Sequence, residues 1–329
     1  MYLRPIERLQ IDFSSICNAG CLFCSRQDFF GSLNPNFPKN KTLPLALFQK
    51  AILDPYLSQL KEVFYCGNYG DALGSPEISD HLSWLAKERP HIRWNIHTNG
   101  SLGSLDFWKY LGDLSSSQKG LVKFSIDGLK DTNGIYRKNT DFDRILRNAK
   151  EFIASGGRAV WKFIEFQHNR HQIEEAKRMA KELGFLRFEL RQNYAKGEES
   201  YLFRLPDSPP LDEELVASYR RQSQHSSSLQ ISCKAQMENN LYIDFDGQVW
   251  PCCWLHDWKY SPTKVKRNWH EEYFLPWDKG GFNQLERNSL SEILQHPWFR
   301  THLPESWSSD NGHLHPSCVA TCGKKGNAS

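Results

Sequence analysis

From Leu9 to Asn193 the chain switches repeatedly between two hydrophobic periods. Segments in which apolar and polar residues alternate are candidate strands: Leu9–Ile16, Glu62–Asn68, Ile92–Asn99, Leu121–Asp127, Arg158–Asn169 and Arg187–Asn193. Between them run segments with helical spacing: Leu43–Leu60, Ile78–Glu88, Leu105–Leu114, Phe142–Ala154 and His171–Leu183. In the last of these Ile173, Ala176, Ala180 and Leu183 share one face, and Gly184 is placed to end the helix. Six successive β–α steps predict an α/β fold built on a parallel sheet.

The alternation within the strands narrows the architecture. Val122, Phe124 and Ile126 fall on one face of their strand, with Lys123, Ser125 and Asp127 on the other. Ile92, Trp94 and Ile96 likewise oppose Arg93, Asn95, His97 and Asn99, and Ile11 and Phe13 oppose Gln10, Asp12 and Ser14. Helices would cover the apolar face, so the polar face must look into something. A closed eight-stranded barrel fills its interior with branched apolar side chains. Six strands with a polar inner face predict a partial (β/α)6 barrel around a hydrophilic cofactor. The simpler alternative is a doubly wound sheet carrying a few polar positions. This core occupies 1–193.

After Tyr194 the pattern breaks. Lys196–Pro210 is polar and proline-containing, as a connection would be. From Cys233 onward Trp, Pro and Gly abound and long periodic segments are few. Residues 194–329 are therefore expected to form a linker and a small unit without an obvious apolar core, which a metal would help to hold together. There is no internal repeat and no low-complexity tract.

Charge adds mainly exclusions. The 41 Lys and Arg nearly balance the 38 Asp and Glu, which argues against a nucleic-acid or anionic-membrane partner. The N-terminal MYLRPIERLQIDF has no signal-like apolar run, and nothing later approaches the roughly 20 apolar residues of a membrane helix. The expectation is a soluble, cytoplasmic protein. In that setting the nine cysteines read as metal ligands or reactive groups rather than disulfides. Three lie together, Cys66 follows alone, and the next is Cys233.

Cys17-Asn-Ala-Gly-Cys21-Leu-Phe-Cys24 places three thiols in a C-x3-C-x2-C array directly after the first strand. Three thiolates can hold three irons of a [4Fe–4S] cube and leave the fourth open. A structural zinc would want a fourth nearby ligand, and the first histidine is His81. The array and its position resemble the radical S-adenosylmethionine (SAM) superfamily over roughly Leu9 to Asn193. The resemblance implies that the open iron binds the amino and carboxylate groups of SAM. One electron, from a donor such as flavodoxin or ferredoxin, then cleaves SAM to a 5′-deoxyadenosyl radical that abstracts hydrogen from a substrate C–H.

The same resemblance assigns further residues to SAM. Phe23, before the third cysteine, would lie near the adenine. Gly67, Asn68, Gly70 and Asp71 stand where the family has its glycine-rich motif for the SAM amino group, although Gly-Asn-Tyr-Gly-Asp departs from the commoner Gly-Gly-Glu. Glycines there would let backbone carbonyls approach the ligand. Asn99, Ser125 and Asp127 end the third and fourth strands, at positions similar to those near the ribose and the methionyl carboxylate, and Arg137 would pair with that carboxylate. Taken singly, a strand-ending Asn or Asp is often only a cap.

Cys233, thirteen residues, Gly247, four residues and Cys252 resemble the C-x9–15-G-x4-C element of SPASM and twitch auxiliary-cluster domains. Asp244–Gly247 reads as a hairpin turn that would fold the two cysteines together. With Cys318 and Cys322 they make four ligands, enough to close one auxiliary [4Fe–4S] cluster, while the alternative is a tetrahedral zinc site on the same thiols. A full SPASM domain with two clusters needs about seven cysteines, and this region has five. Cys66 reads as a small buried residue. Cys253 is either equally bland or the hydrogen-atom donor that related peptide epimerases carry.

Relatives with an auxiliary domain commonly modify ribosomally made peptides, by epimerisation, cross-linking or backbone rearrangement, and less often dehydrogenate small alcohols or sugars. A non-enzymatic iron–sulfur electron carrier is the third reading. With sixteen residues before Cys17, a leader peptide is expected to be presented by a separate partner protein. Tyr69, Trp161, Phe163, Trp250, Trp254 and Trp258 are candidates for a peptide groove or for the core, and His168, Asn169 and His171 for substrate contacts.

Overall fold

The computed structural model describes residues 5–22, 24–27, 33–192, 229–257, 259–260, 271, 274, 276–277, 280–307 and 315–325. In chain order its main elements are β1 (Arg8–Asp12), α1 (Leu45–Ile52), β2 (Glu62–Cys66), α2 (Ile78–Glu88), β3 (Arg93–Thr98), α3 (Leu105–Gln118), β4 (Leu121–Ser125), α4 (Asn133–Tyr136), α5 (Phe142–Ala154), β5 (Ala159–Glu165), α6 (Ile173–Glu182) and β6 (Arg187–Gln192). Beyond them follow β7 (Leu229–Ile231), α7 (Lys234–Met237), β8 (Asn240–Ile243), β9 (Val249–Trp250), α8 (Cys253–His256), α9 (Leu290–Gln295), α10 (Pro316–Cys322) and β10 (Gly323–Lys325). The predicted connection Lys196–Pro210 lies outside the described residues.

The first six strands are all parallel and stand in the order β6-β5-β4-β3-β2-β1. Beyond β1 the sheet continues with β8, parallel to β1, and β9, antiparallel to β8. Strands β6 and β9 are its two edges, so the barrel is not closed, in keeping with the partial barrel expected.

Apolar alternation drives the helices onto one face of the sheet. Helix α5 buries Phe142, Ile145, Ala149 and Phe152, and its first turn is capped by Asp141, whose side chain accepts from the Arg144 N–H. Trp108 of α3 stacks on Phe124 of β4 with ring centroids 5.1 Å apart. Gly184, at φ +83°, follows α6 in the left-handed conformation that such a stop requires.

The strands end earlier than their hydrophobic pattern does. Ile16, Asn68, Asn99 and Asp127 all lie past the last ladder residue, in loops at the carboxyl ends of a parallel sheet, where ligands collect. Register aligns the polar face in rows: Asp12 lies opposite Cys66, His97 opposite Lys123, and Lys162 between Ser125 and Glu189.

The C-terminal region differs from expectation in two ways. Strand β8 is fully buried and extends the core sheet, so the sheet does not stop at the polar connection. The region also carries apolar packing, continuous with the core of the sheet. Trp250 lies 4.4 Å from Phe274 between centroids, Trp298 lies 4.9 Å from Phe299, and Leu290 and Ile293 of α9 are fully buried. Aromatic residues on short elements pack without leaving a periodic trace, which is why the sequence looked coreless. Among the described residues no helix is long and apolar enough to cross a membrane.

Candidate active site and auxiliary cysteine cavity

The loop after β1 carries Cys17, Cys21 and Cys24. Buried N–H donors point at its sulfurs. The Ala19 amide lies 3.4 Å from Cys17 Sγ, the Asn99 side-chain amide 3.7 Å from the same sulfur, and an Arg137 guanidinium nitrogen 3.5 Å from Cys21 Sγ. Burial pushes the Cys17 thiol up to about 12, and nearby Asp71 adds to this, while the Ala19 amide and Arg26 oppose it. Burial raises Cys24 as well, against the Arg26 amide and the charges of Arg26 and Arg137. Three clustered thiols surrounded by N–H donors and two arginines suit metal-bound thiolates, because coordination deprotonates a thiol outright. The donor set fits a cluster with one iron left open.

The Gly67–Asp71 segment is fixed by groups the sequence did not single out. Asp12, fully buried, accepts from the Asn68 amide (3.0 Å), the Asn68 side chain (2.9 Å), the Tyr69 amide (3.4 Å) and the Tyr242 hydroxyl (2.5 Å). Burial raises the Asp12 carboxyl, and its bonds to Tyr242 and Asn68 counter part of that. Tyr242 also reaches His256 Nδ1 at 3.2 Å, and His256 Nε2 stands 2.8 Å from Asp244, both fully buried. Burial would raise the Asp244 carboxyl, but His256 and Lys259 hold it below its ordinary value. A continuous polar chain, Asp244–His256–Tyr242–Asp12–Asn68, therefore joins the β8–β9 hairpin to the loop after β2. Only an Asp at the last position of a strand, facing a polar side, hinted at it.

Gly70 has a physical reason that differs from ligand access. A Cβ there would lie 2.0 Å from the Ser14 carbonyl oxygen and 3.0 Å from that of Ile16, so the missing side chain lets this loop pack on the backbone leading into the cysteines. The Asp71 amide donates to Ile16 O at 2.9 Å. The Asp71 carboxylate accepts from Thr98 Oγ1 and the Asn99 amide, both at 2.8 Å, and from the Leu73 amide at 3.1 Å. It ties the second loop to the end of β3. Asn99 in turn donates to Asn18 at 3.0 Å and accepts from the Ser101 amide at 2.9 Å. Asp127, fully buried, accepts from Arg137 Nε and from the Ile164 amide, each at 2.6 Å. Despite burial, Asp127 and Cys21 hold the Arg137 guanidinium charged. Ser125 is buried at the end of β4. Phe23 lies outside the described residues.

In the C-terminal region the hairpin forms as expected, with Gly247 at φ +76° and the Gly247 and Gln248 amides bonded to Asp244. Cys233, Cys252, Cys318 and Cys322 line one small cavity together with Trp254 and Trp307. Cys233 and Cys322 hydrogen-bond each other, which raises the Cys233 thiol and brings Cys322 down to about 6. Among the described residues no three His, Cys, Asp or Glu side chains converge on one metal ion.

Cys253 is not among the residues lining that cavity. Its thiol, raised to about 12 by burial and by Asp12, is hydrogen-bonded by Gln10. Cys66 shares Gln10, feels the charges of Asp12 and Cys253, and donates to Ile11 O at 3.2 Å. Both thiols therefore adjoin the polar face of the sheet. Tyr69, Trp161, Phe163 and Trp250 are fully or almost fully buried and belong to the core, not to a groove. Trp254 is 54% exposed, and Trp258 lies outside the described residues. Asn169 is spent on backbone, accepting from the Phe166 amide and donating to Asp127 O and Ile164 O.

A sequence profile of the Radical SAM superfamily matches residues 11–180, from β1 into α6. The chain belongs to the radical SAM superfamily. A second profile, SPASM, an iron–sulfur cluster-binding domain, matches residues 233–323, the span of the four cavity cysteines. The cofactors of this radical SAM enzyme are accordingly [4Fe–4S] clusters and SAM. Among solved structures, Streptococcus suis SuiB bound to S-adenosylmethionine is similar, with TM-score 0.54 and 19% identity over 76% of this chain and 61% of SuiB. SuiB bound to its precursor peptide SuiA gives 0.57 and 16% over 91% and 66%. The enzyme anSMEcpe with bound AdoMet gives 0.56 and 19% over 90% and 82%. This radical SAM chain thus spans about three-fifths of SuiB's length, and the likeness establishes a shared fold. Comparison with curated proteins gave no match.

Proposed function

We propose that this radical SAM enzyme modifies a ribosomally made peptide at an unactivated C–H, by epimerisation, cross-linking or backbone rearrangement. Cys17, Cys21 and Cys24 would hold the SAM-binding cluster, and Cys233, Cys252, Cys318 and Cys322 the auxiliary one. When bound, the first cluster and SAM supply a hydrogen-abstracting radical. The chain's own residues orient and shield it. Asn68, through Asp12, and Gly70, through its packing on Ser14, fix the loop expected beside the SAM amino group. Arg137, held by Asp127, stands by Cys21 with its charge retained.

The observation that supports the reading is a buried thiol, Cys253, beside Gln10 and Asp12 of the polar sheet face, that the auxiliary cavity does not use. In an epimerisation Cys253 would return a hydrogen atom to the substrate carbon. Peptide substrates are supported by SuiB, solved with its precursor peptide, and by anSMEcpe, solved with the Kp18Cys peptide.

The test is mass spectrometry of candidate precursor peptides co-expressed with the enzyme, in deuterated water for epimerisation. A mass change or deuterium at one residue, dependent on Cys17, is expected. Unmodified peptides together with two-electron oxidation of a small alcohol would transfer the enzyme to the dehydrogenase class.

A further inference from the structure

Cations on the polar face of the sheet are unevenly paired. On β1 Arg8 has Glu62 at 3.0 Å, and Gln10 and Asp12 stand beside the Cys66 and Cys253 thiols. Toward β4–β6 the face presents cations. Lys123 Nζ lies 3.2 Å from both oxygens of Glu189, and the same carboxylate also takes Arg187 at 2.7 Å and Arg191 at 3.5 Å. One carboxylate thus serves three cations.

Lys162 stands in the midst of this group. Trp161 and Phe163 on either side are packed in the core, so Lys162 projects to the opposite, polar side of β5. It sits in register between Ser125 and Glu189, one strand from the Asp127–Arg137 pair. Among the described residues its ammonium makes no hydrogen bond and no ion pair. Burial, then Arg137, pulls it below its ordinary value; Asp127 opposes this, and Arg191 and Lys123 add to the repulsion. His97 is likewise held neutral by burial and by the surrounding Lys162, Lys123, Arg8 and Arg191. A half-buried ammonium among like charges is costly unless something pairs with it.

We propose that Lys162 docks an anionic group of the substrate, a carboxylate, against the β4–β6 side of the polar face. This rests on the peptide reading, in which the anion is an Asp or Glu side chain or a chain terminus. It also orients the substrate: the anion lies at Lys162, and the reacting carbon toward the cysteine loop and Cys253. SAM has a carboxylate of its own, but Arg137 is the cation beside Cys21, and Lys162 lies one strand further along.

The experiment is pulsed acetylation of the reconstituted, SAM-saturated holoenzyme with acetic anhydride, with Lys162 labelling read by mass spectrometry. The probes are acetyl-Gly-Asp-Gly-amide, its Asn counterpart, and glutarate. The Asp peptide should slow labelling of Lys162 roughly tenfold more than the Asn peptide, the worth of one charged hydrogen bond. In Lys162→Gln the Asp peptide should no longer raise the melting temperature, while SAM affinity and iron content stay unchanged. Protection by glutarate but by neither peptide would keep the anion site and discard the peptide reading. Equal protection by Asp and Asn peptides, no protection by any probe, or full protection by SAM alone would overturn the proposal.

Discussion

The two cysteine sites of this chain hold their thiols together by different means. Cys17, Cys21 and Cys24 sit within eight residues of sequence, on a loop anchored to the sheet from three sides. Gly70 packs against Ser14, Asp71 ties the neighbouring loop to β3, and Asp127 holds Arg137 by Cys21. The four cavity cysteines span Cys233 to Cys322 and sit on or beside α7, α8 and α10, none longer than seven residues. Their cavity is closed partly by the thiols themselves. A local motif can be scaffolded by the fold around it, whereas a dispersed one makes the metal part of the fold.

The largest expected contrast follows directly. Cys252→Ala should lose the auxiliary iron and lower the melting temperature and soluble yield, since it removes one corner of that cavity. Cys17→Ala should abolish SAM cleavage at nearly unchanged melting temperature. Calorimetry on both variants checks this, and equal melting losses would dissolve the distinction between the sites.

Gly70→Ala comes next. Its Cβ would meet the Ser14 carbonyl at 2.0 Å, so one loop must move, at roughly 1–3 kcal/mol or more. SAM affinity, measured by equilibrium binding, should fall while auxiliary iron is retained. A smaller loss belongs to Asp12→Asn. It turns one acceptor oxygen into a donor facing Asn68, Tyr69 and Tyr242, costing roughly 1–3 kcal/mol. Because Asp12 joins the β8–β9 hairpin to the SAM-side loop, denaturant unfolding and SAM affinity should weaken together. Weakening of one alone would mean that the buried chain does not couple the regions.

Cys253→Ala should disturb stability least. Both clusters should keep their spectra, and SAM cleavage should persist. If the reaction is an epimerisation, the inverted product should vanish. Loss of auxiliary iron in this variant, with retention in Cys252→Ala, would exchange the roles of the two neighbours.

Much of this was legible in the sequence because it is local. Period-two and helical spacings marked six strands and their helices, with α2 and α5 matching the expected limits, and the C-x3-C-x2-C array stood on one loop. What stayed hidden depends on pairing across long separations. Nothing near Asn240 announces that β8 will join β1, and the aromatic packing of Trp250, Phe274 and Trp298 has no period. Asp12 is a single strand-ending carboxylate until Tyr242 and Asn68 arrive from 230 and 56 residues away. The reason for Gly70 is backbone contact with Ser14, which no residue type signals.

The most direct test of the two-site account is iron counting by Mössbauer spectroscopy on anaerobically reconstituted protein. The parent should hold about eight irons in two cubes, and the Cys17, Cys21 and Cys24 triple alanine variant about four, all in the auxiliary cube. Zinc in the C-terminal site, or only about four irons in the parent, would contradict it.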